Sequence, residues 1–359
     1  MAQLIAAHRT AVVPRGGAFA RLSIEELGAP VIRACLGSAG LVPADINELI
    51  LSNALGAGGN PARRTALAAG LPERVAGLSI DRQCAGGLDA ILLAAALVDS
   101  GAAEVVLAGG VESYSRRPMR LATDPDGGPP VAYDEAPFTP WPDRNPGMAE
   151  AADALALRLS IPRAAQELWA VGSHAKALAA DLGAEIVPLA GQARDAFTRS
   201  LTPALAARAP VVVGSITAAT AAVAADAAAF VLVASDRMAA RFARSLRIVG
   251  GATLGADPIE PGLAPLAAIR KVWDGGPLAM AEVMEAYAVQ AMAVVNGAGI
   301  DPARVNLGGG ALARGHPIGA SGAILAVRLF HGLRAGRGLA AIAAAGGIGT
   351  ALLVEVSGA

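Results

Sequence analysis

Two short stretches of this chain carry residue types that could do chemistry. Cys84 sits in Ile80-Asp81-Arg82-Gln83-Cys84-Ala85-Gly86-Gly87-Leu88, after a strand-like run and before a strongly helical one, which is the setting of a strand-to-helix elbow. There, backbone N–H groups and the positive end of a helix favour thiolate over thiol, and the glycines let a substrate approach the sulfur. The competing reading is an inert buried cysteine, the commoner fate of a single Cys, and local context leaves both open. Cys35, inside an apolar helical pattern, reads as structural. His316 lies in Gly308-Gly309-Gly310-Ala311-Leu312-Ala313-Arg314-Gly315-His316-Pro317-Ile318-Gly319-Ala320-Ser321-Gly322. Glycines free the backbone around it, Pro317 fixes it, and imidazole is the side chain suited to moving a proton near neutral pH. His8, His174 and His331 lack such a setting and read as incidental surface or core residues.

The elements that must position these residues show an internal repeat. Ala39-Gly40-Leu41-Val42-Pro43-Ala44-Asp45-Ile46-Asn47 recurs as Ala298-Gly299-Ile300-Asp301-Pro302-Ala303-Arg304-Val305-Asn306, and Ala108-Gly109-Gly110-Val111 recurs as Ala345-Gly346-Gly347-Ile348. Each half has a helix-like segment before the first landmark, then a strand-like run, another helix, and an apolar strand ending in Gly-Gly. In the first half the later pieces are Glu48 to Ser52, Leu88 to Val98 and Glu104 to Ala108. Such alternation predicts βαβ units in an α/β fold, with helices covering mixed or parallel sheets. Between the halves, Pro118 to Pro146 is rich in Pro, Asp and Gly, which is loop chemistry, and Ala149 to Leu159 and Pro162 to Leu182 have helical character. The expected division is therefore 1–118 with 209–240 as the first half, 119–208 as an inserted loop or lid domain that carries substrate specificity, and 241–359 as the second half.

Composition narrows the function. The chain has 359 residues, is 54% hydrophobic and has a net charge of -1, so it can bury a large core. Without a basic block it is not expected to bind nucleic acid; Arg116-Arg117 is too short to suggest more than one phosphate contact. Neither of the two cysteines has metal-ligand or disulfide spacing, so no metal is expected and a reducing cytoplasm fits. The N-terminus lacks the order of a signal peptide, and Arg, Asp, Glu, Pro or Gly breaks the alanine-rich apolar runs before they reach the roughly 18 residues of a membrane span.

The tract from Asn306 to Gly322 resembles, almost letter for letter, the thiolase superfamily signature GGAxAxGHPxGASG. The resemblance extends through Ala6 to Arg15, the Cys84 elbow, Gly109-Gly110-Val111-Glu112-Ser113, Met148 to Leu159 and Arg163 to Ala179. It implies a thiolase-like fold, two pseudo-repeated βαβαβ halves in α/β/α/β/α layers with an inserted loop domain. It also implies that Cys84 becomes acylated and His316 activates it, the thiolate attacking a thioester carbonyl while the imidazole takes the proton. The family's second oxyanion hole would here be formed by the main-chain N–H groups of Cys84 and Ala345, in the turn that includes Gly347, with no dependence on side chains. Met148, Ala222, Val223 and Pro317 fall at expected substrate-binding positions. The resemblance further implies a homodimer or homotetramer, with Asn53 to Pro72 as the contact, and a coenzyme A thioester as substrate, with no resident cofactor.

Three departures qualify the resemblance. In the family's CxGGGxG turn the cysteine moves the α-proton of a second acyl-CoA; Ala343 stands there, and a methyl group moves no proton. In the NEAF motif the asparagine holds a water; this chain reads Met284-Glu285-Ala286-Tyr287, and methionine does not donate that hydrogen bond. Glu285 is left with a structural role or a role in orienting His316. The TAGNxSGxNDGAA stretch becomes Thr217 to Ala229 with its Ser, Asn and Gly replaced, so contacts to pantetheine must differ. The expected function is acyl transfer from a CoA or carrier-protein thioester through acyl-Cys84, with ordinary thiolysis or Claisen condensation in doubt. Hydrolysis of the acyl-enzyme and a non-catalytic scaffold are the alternatives.

Overall fold

In the computed structural model, which describes residues 1–56 and 58–357, the two halves join in one mixed sheet. Its main strands are β1 (Ala2–Thr10), β2 (Glu48–Ser52), β3 (Leu78–Ile80), β4 (Val105–Glu112), β5 (Ala225–Ser235), β6 (Leu246–Gly255), β7 (Met280–Val283), β8 (Arg337–Ala344) and β9 (Ile348–Val356). They run in the order β7-β8-β9-β6-β1-β5-β4-β2-β3. From the β1/β6 seam outward the halves match: β1-β5-β4 and β6-β9-β8 are antiparallel, while β4-β2 and β8-β7 are parallel. The sequence repeat is thus a repeat of pairing, and β1 beside β6 makes the two units one.

The helices that complete the layers are α1 (Ile24–Ala39), α2 (Pro61–Ala69), α3 (Gly86–Asp99), α4 (Met148–Arg158), α5 (Arg163–Ala179), α6 (Pro265–Val272), α7 (Ala288–Ala298), α8 (Ala311–Arg314) and α9 (Ile318–Gly332). Three apolar clusters separate them. One holds α1 and α2 on the outer face of the first half, a second holds α6 and α7 on the outer face of the second, and the largest surrounds α3 and α9 on the inner face shared by both halves. Helix α9 is buried on nearly every side, which explains why its sequence, Ile318 to Gly332, carries no polar stripe. The segment expected to form a subunit contact includes α2 and lies beside the edge strand β3; Ala57 within it lies outside the described residues.

The central layer depends on missing side chains. A Cβ on Gly87 of α3 would lie 2.7 Å from both the Ala323 nitrogen and the Gly319 oxygen of α9, and one on Gly322 would lie 2.5 Å from the Leu88 nitrogen. Backbone stands where a methyl would go, so Gly87→Ala must push the two helices apart. The variant is expected to lose about 1–3 kcal/mol of stability, read as a lower urea midpoint with unchanged slope.

Between β4 and β5 the chain leaves the sheet. This excursion contains a hairpin of Arg120–Ala122 with Val131–Tyr133, then α4 and α5, then a second hairpin of Val211–Val213 with Ile216–Thr217. Within it only Ile186–Val187 touches the main sheet, pairing in parallel with Arg9 and Thr10 of β1; the chain rejoins the sheet for good at Ala225, later than the expected 209, and the apolar run Val211–Val213 pairs locally instead of joining β5. Buried ion pairs fasten the excursion to the frame. Arg9 on β1 meets Glu185 at 2.7 Å and Asp195 at 2.6 Å, and Arg328 on α9 meets Glu185 at 2.6 Å. Among the described residues no helix is long and apolar enough to cross a membrane.

Candidate active site

Cys84 occupies a single tight turn, Gln83–Ala85, between β3 and α3. The preceding Gln83 has φ of 49°, a left-handed conformation that costs a non-glycine residue energy, and the Asp81 carboxylate accepts its N–H at 2.9 Å. One turn into α3, Asp89 accepts hydrogen bonds from Thr253 on β6 and Thr350 on β9 at 2.5 and 2.7 Å, which ties the elbow to the other half. The thiol is thereby held at the seam.

His316 reaches the same seam from the second half. Its N–H donates to the Val223 oxygen at 2.8 Å, and its backbone pairs with Ala224, so the stretch leading into β5 sets its position. Gly315, with φ of 112°, makes the bend before it, and Pro317 leads into α9. The imidazole Nε2 lies 3.1 Å from the Cys84 sulfur, and Nδ1 lies 2.7 Å from the hydroxyl of Ser321 in the first turn of α9. Ser321 was within reach of sequence reasoning, five residues beyond His316 in the same tract, yet its pairing depends on how Pro317 turns the chain.

Burial governs the charge states. It pushes the Cys84 thiol up to about 12, helped by the charges of Glu112 and Asp81 and opposed by the backbone N–H groups of Cys84 and Ala345. It pushes His316 down to about 4. The expectation that the helix end favours thiolate is therefore corrected: loss of water outweighs the backbone dipoles, and the resting pair is thiol and neutral imidazole. Behind the elbow the buried Glu112 carboxylate accepts from Asn53 Nδ2 and from the N–H groups of Ala54, Leu55 and Gly319, and burial pushes it up to about 7 against those donors.

A cavity of about 580 Å³ opens above the pair, lined by Cys84, His316, Ala222, Met148 and the Ala343–Ala345 turn, with Tyr287, Tyr114, Glu135 and Glu150 also on its wall. The last four were not expected from sequence. Tyr114, Glu135 and Glu150 belong to the excursion between β4 and β5, so only folding brings them here. Among the lining residues the charged side chains are the two glutamates alone; no lysine or arginine faces the cavity.

Several expected site residues lie elsewhere. Val223 and Pro317 do not line the cavity; Val223 acts through its carbonyl on His316, and Pro317 is buried at the start of α9. Gly347 turns away with φ of 76°, its oxygen accepting the N–H of Ala256, and a Cβ there would lie 2.5 Å from the Ala256 oxygen. Met284 is 2% exposed, packs in the central apolar cluster and is absent from the cavity wall. Glu285 accepts from Trp169 Nε1, Ser173 Oγ, Asn306 Nδ2 and the Leu312 N–H at 2.7 to 3.2 Å, while both His316 ring nitrogens have other partners. Those contacts join α5 to α8, which is the structural role of the two left open. Among the described residues no three His, Cys, Asp or Glu side chains converge as a metal-binding group.

A duplicated, layered α/β frame with a thiol and an imidazole meeting at the seam of its halves defines a thiolase-type protein. Residues 2–237 match the family model "Thiolase, N-terminal domain" and residues 243–356 match "Thiolase, C-terminal domain". The chain belongs to the thiolase family. It is 37% identical to the acetyl-CoA acetyltransferase of Cupriavidus necator over 390 residues, covering 98% of each chain. It is also 37% identical to that of Shinella zoogloeoides over 391 residues, again covering 98% of each. The crystal structure of the Bacillus anthracis acetyl-CoA acetyltransferase superposes with a TM-score of 0.91 at 33% identity, covering 99% of this chain and 98% of that one. An Ascaris suum thiolase in complex with coenzyme A does so with a TM-score of 0.91 at 28% identity, covering 99% of each chain.

Proposed function

We propose that this protein is an acyltransferase that takes an acyl group from a small thioester, such as an acyl-CoA, onto Cys84 and passes it to an acceptor. The observation that carries this reading is the 3.1 Å contact between the Cys84 sulfur and His316 Nε2 on the wall of a cavity. With Nδ1–H donating to Ser321, Nε2 holds the lone pair that takes the thiol proton. The Sγ–C bond forms, the thioester C–S bond breaks, and Nε2 returns the proton to the leaving thiolate. The N–H groups of Cys84 and Ala345, which already face the sulfur, are suited to the negative charge that builds on the acyl oxygen. In the second step the acceptor replaces Sγ on the acyl carbon, and its proton goes to the sulfur through Nε2.

The acceptor is the point of difference from the acetyl-CoA acetyltransferases. Ala343 lines the cavity with a methyl group, so an acceptor that needs an α-proton removed finds no base at that position. An amine, or a carbanion already activated, has no such need. The test is intact-protein mass spectrometry after exposure to a panel of acyl thioesters, followed by peptide mapping and addition of candidate acceptors. A mass increase at Cys84 that is discharged into a heavier product supports transfer. Discharge into free acid supports hydrolysis, and no adduct with any thioester supports a scaffold role.

Restoring the missing group gives a further prediction. Ala343→Cys is expected to raise condensation of two acyl-CoA molecules by about 10²- to 10⁴-fold, the usual contribution of a positioned acid/base, while leaving the rate of Cys84 acylation unchanged. Rapid-quench acylation and product chromatography measure the two steps separately.

A further inference from the structure

The side chain at Tyr287 places a hydroxyl in the cavity that has no assigned role. Its backbone is firmly held: the Ala222 N–H donates to the Ala286 oxygen at 2.9 Å, Tyr287 bridges to Ala221, and the Tyr287 oxygen accepts the Ala291 N–H at 3.2 Å as α7 begins. A phenol on such a base is pre-positioned, which matters because a donor that needs no reorganisation is the one that stabilises developing charge. Tyr287 shares the cavity wall with Cys84 and His316, and its phenol lies close enough to Glu135, Cys84, Glu150 and Tyr114 to feel their charges.

Apart from the Tyr114 hydroxyl, the other polar side chains on the wall are engaged or closed off. Gln83 turns its amide to Asp81 at 3.4 Å, and His316 is taken by Cys84 and Ser321. Gln290 has both amide atoms buried. Glu135 and Glu150, when ionised, accept hydrogen bonds and donate none. Meanwhile Met284 lies in the core and gives the cavity nothing. The site therefore lacks a side-chain donor at the turn where the family's motif has one, and three residues further along the same turn it has a phenol.

We propose that the Tyr287 hydroxyl donates a hydrogen bond to the carbonyl oxygen of the bound acyl thioester, serving as the donor that Met284 does not supply. The inference rests on the acyl-Cys84 reading above. Burial, with Glu135, Cys84, Glu150 and Tyr114 adding to it, pushes the phenol up to about 12, so it keeps its proton throughout the neutral range. It is a donor and not a substitute for the base missing at Ala343.

The test compares wild type with Tyr287→Phe, a change that removes one oxygen. Acylation of Cys84 by a thioester is expected to slow by about a hundredfold, in line with loss of one oxyanion donor. Alkylation of the same thiol by iodoacetamide, which builds no oxyanion, is expected to keep its rate. In the infrared spectrum of acyl-Cys84 prepared with a ¹³C-carbonyl label, the carbonyl band is expected to move to higher wavenumber in the variant. A merely structural role would slow both reactions together and leave the band in place, and that result overturns the proposal, as does equal acylation of the two proteins. Should Tyr287→Phe fail to fold, Tyr287→3-fluorotyrosine keeps the shape and strengthens the donor, and a carbonyl band unmoved from wild type overturns the proposal. Absence of any acyl adduct on the wild-type protein would instead overturn the parent reading, so the two failures are distinguishable.

Discussion

Cys84→Ala is expected to abolish acyl-enzyme formation and to lower acyl transfer by a factor on the order of 10⁴ or more, because the covalent route then has no atom to form its bond. The substitution removes a sulfur from a partly exposed position beside a cavity, so the fold should tolerate it; the elbow is held by Asp81, Asp89 and the α3/α9 contact, none of which uses the thiol. The residual activity is informative. Backbone donors at Cys84 and Ala345 survive the change, so any remaining turnover measures what binding and the oxyanion site achieve without covalency. Transfer that persists at near wild-type rate, with no adduct at position 84, would mean that the acyl group never rests on this residue.

The second large effect concerns His316. His316→Ala is expected to slow acylation by about 10²- to 10⁴-fold at neutral pH and to change the shape of its pH profile. On the proposed reading the base is a neutral imidazole that burial has pushed down to about 4. Its lone pair is available above that value and is lost as pH falls through it, so the acid limb of the profile should lie near 4, well below the ordinary histidine range. In the variant the thiol must ionise unaided. Because burial holds it up to about 12, its thiolate fraction rises about tenfold for each pH unit below that value, and the rate should climb steadily across the neutral range with no plateau. A variant with the wild-type plateau would show that another group takes the proton. Stopped-flow acylation with a chromogenic thioester, run from pH 4 to 9, distinguishes the two shapes.

How the candidate site could be read depends on where each residue lies along the chain. Cys84 and His316 stand in glycine-rich tracts, so local sequence marks them, although close packing such as that of Gly87 and Gly322 between α3 and α9 also requires those glycines. Helix α9 and strands β4 and β5 are equally legible, since runs buried on both faces are apolar without interruption. The family resemblance puts Val223 and Pro317 at substrate-binding positions, yet neither lines the cavity. A backbone that passes a cavity shows it only some of its side chains, and the bends at Gly315 and Pro317 decide which. Glu285 shows the same limit: its four donors come from residues 169, 173, 306 and 312, a constellation visible only after α5 and α8 have packed together.

Residue order carries the duplicated α/β plan, the thiol at an elbow and the imidazole in its glycine tract, while the family resemblance implies the missing proton carrier at Ala343 and the missing donor at Met284. These are local properties: periodicity, turn chemistry, and the presence or absence of a functional group at a motif position. The tertiary structure decided that sulfur and imidazole stand 3.1 Å apart, that both rest uncharged, and that Tyr287, Glu135 and Glu150 share their cavity. Distance across the β1/β6 seam and removal of water are products of packing between segments far apart in the chain, and charge state follows from them because an ion's free energy depends on the medium around it.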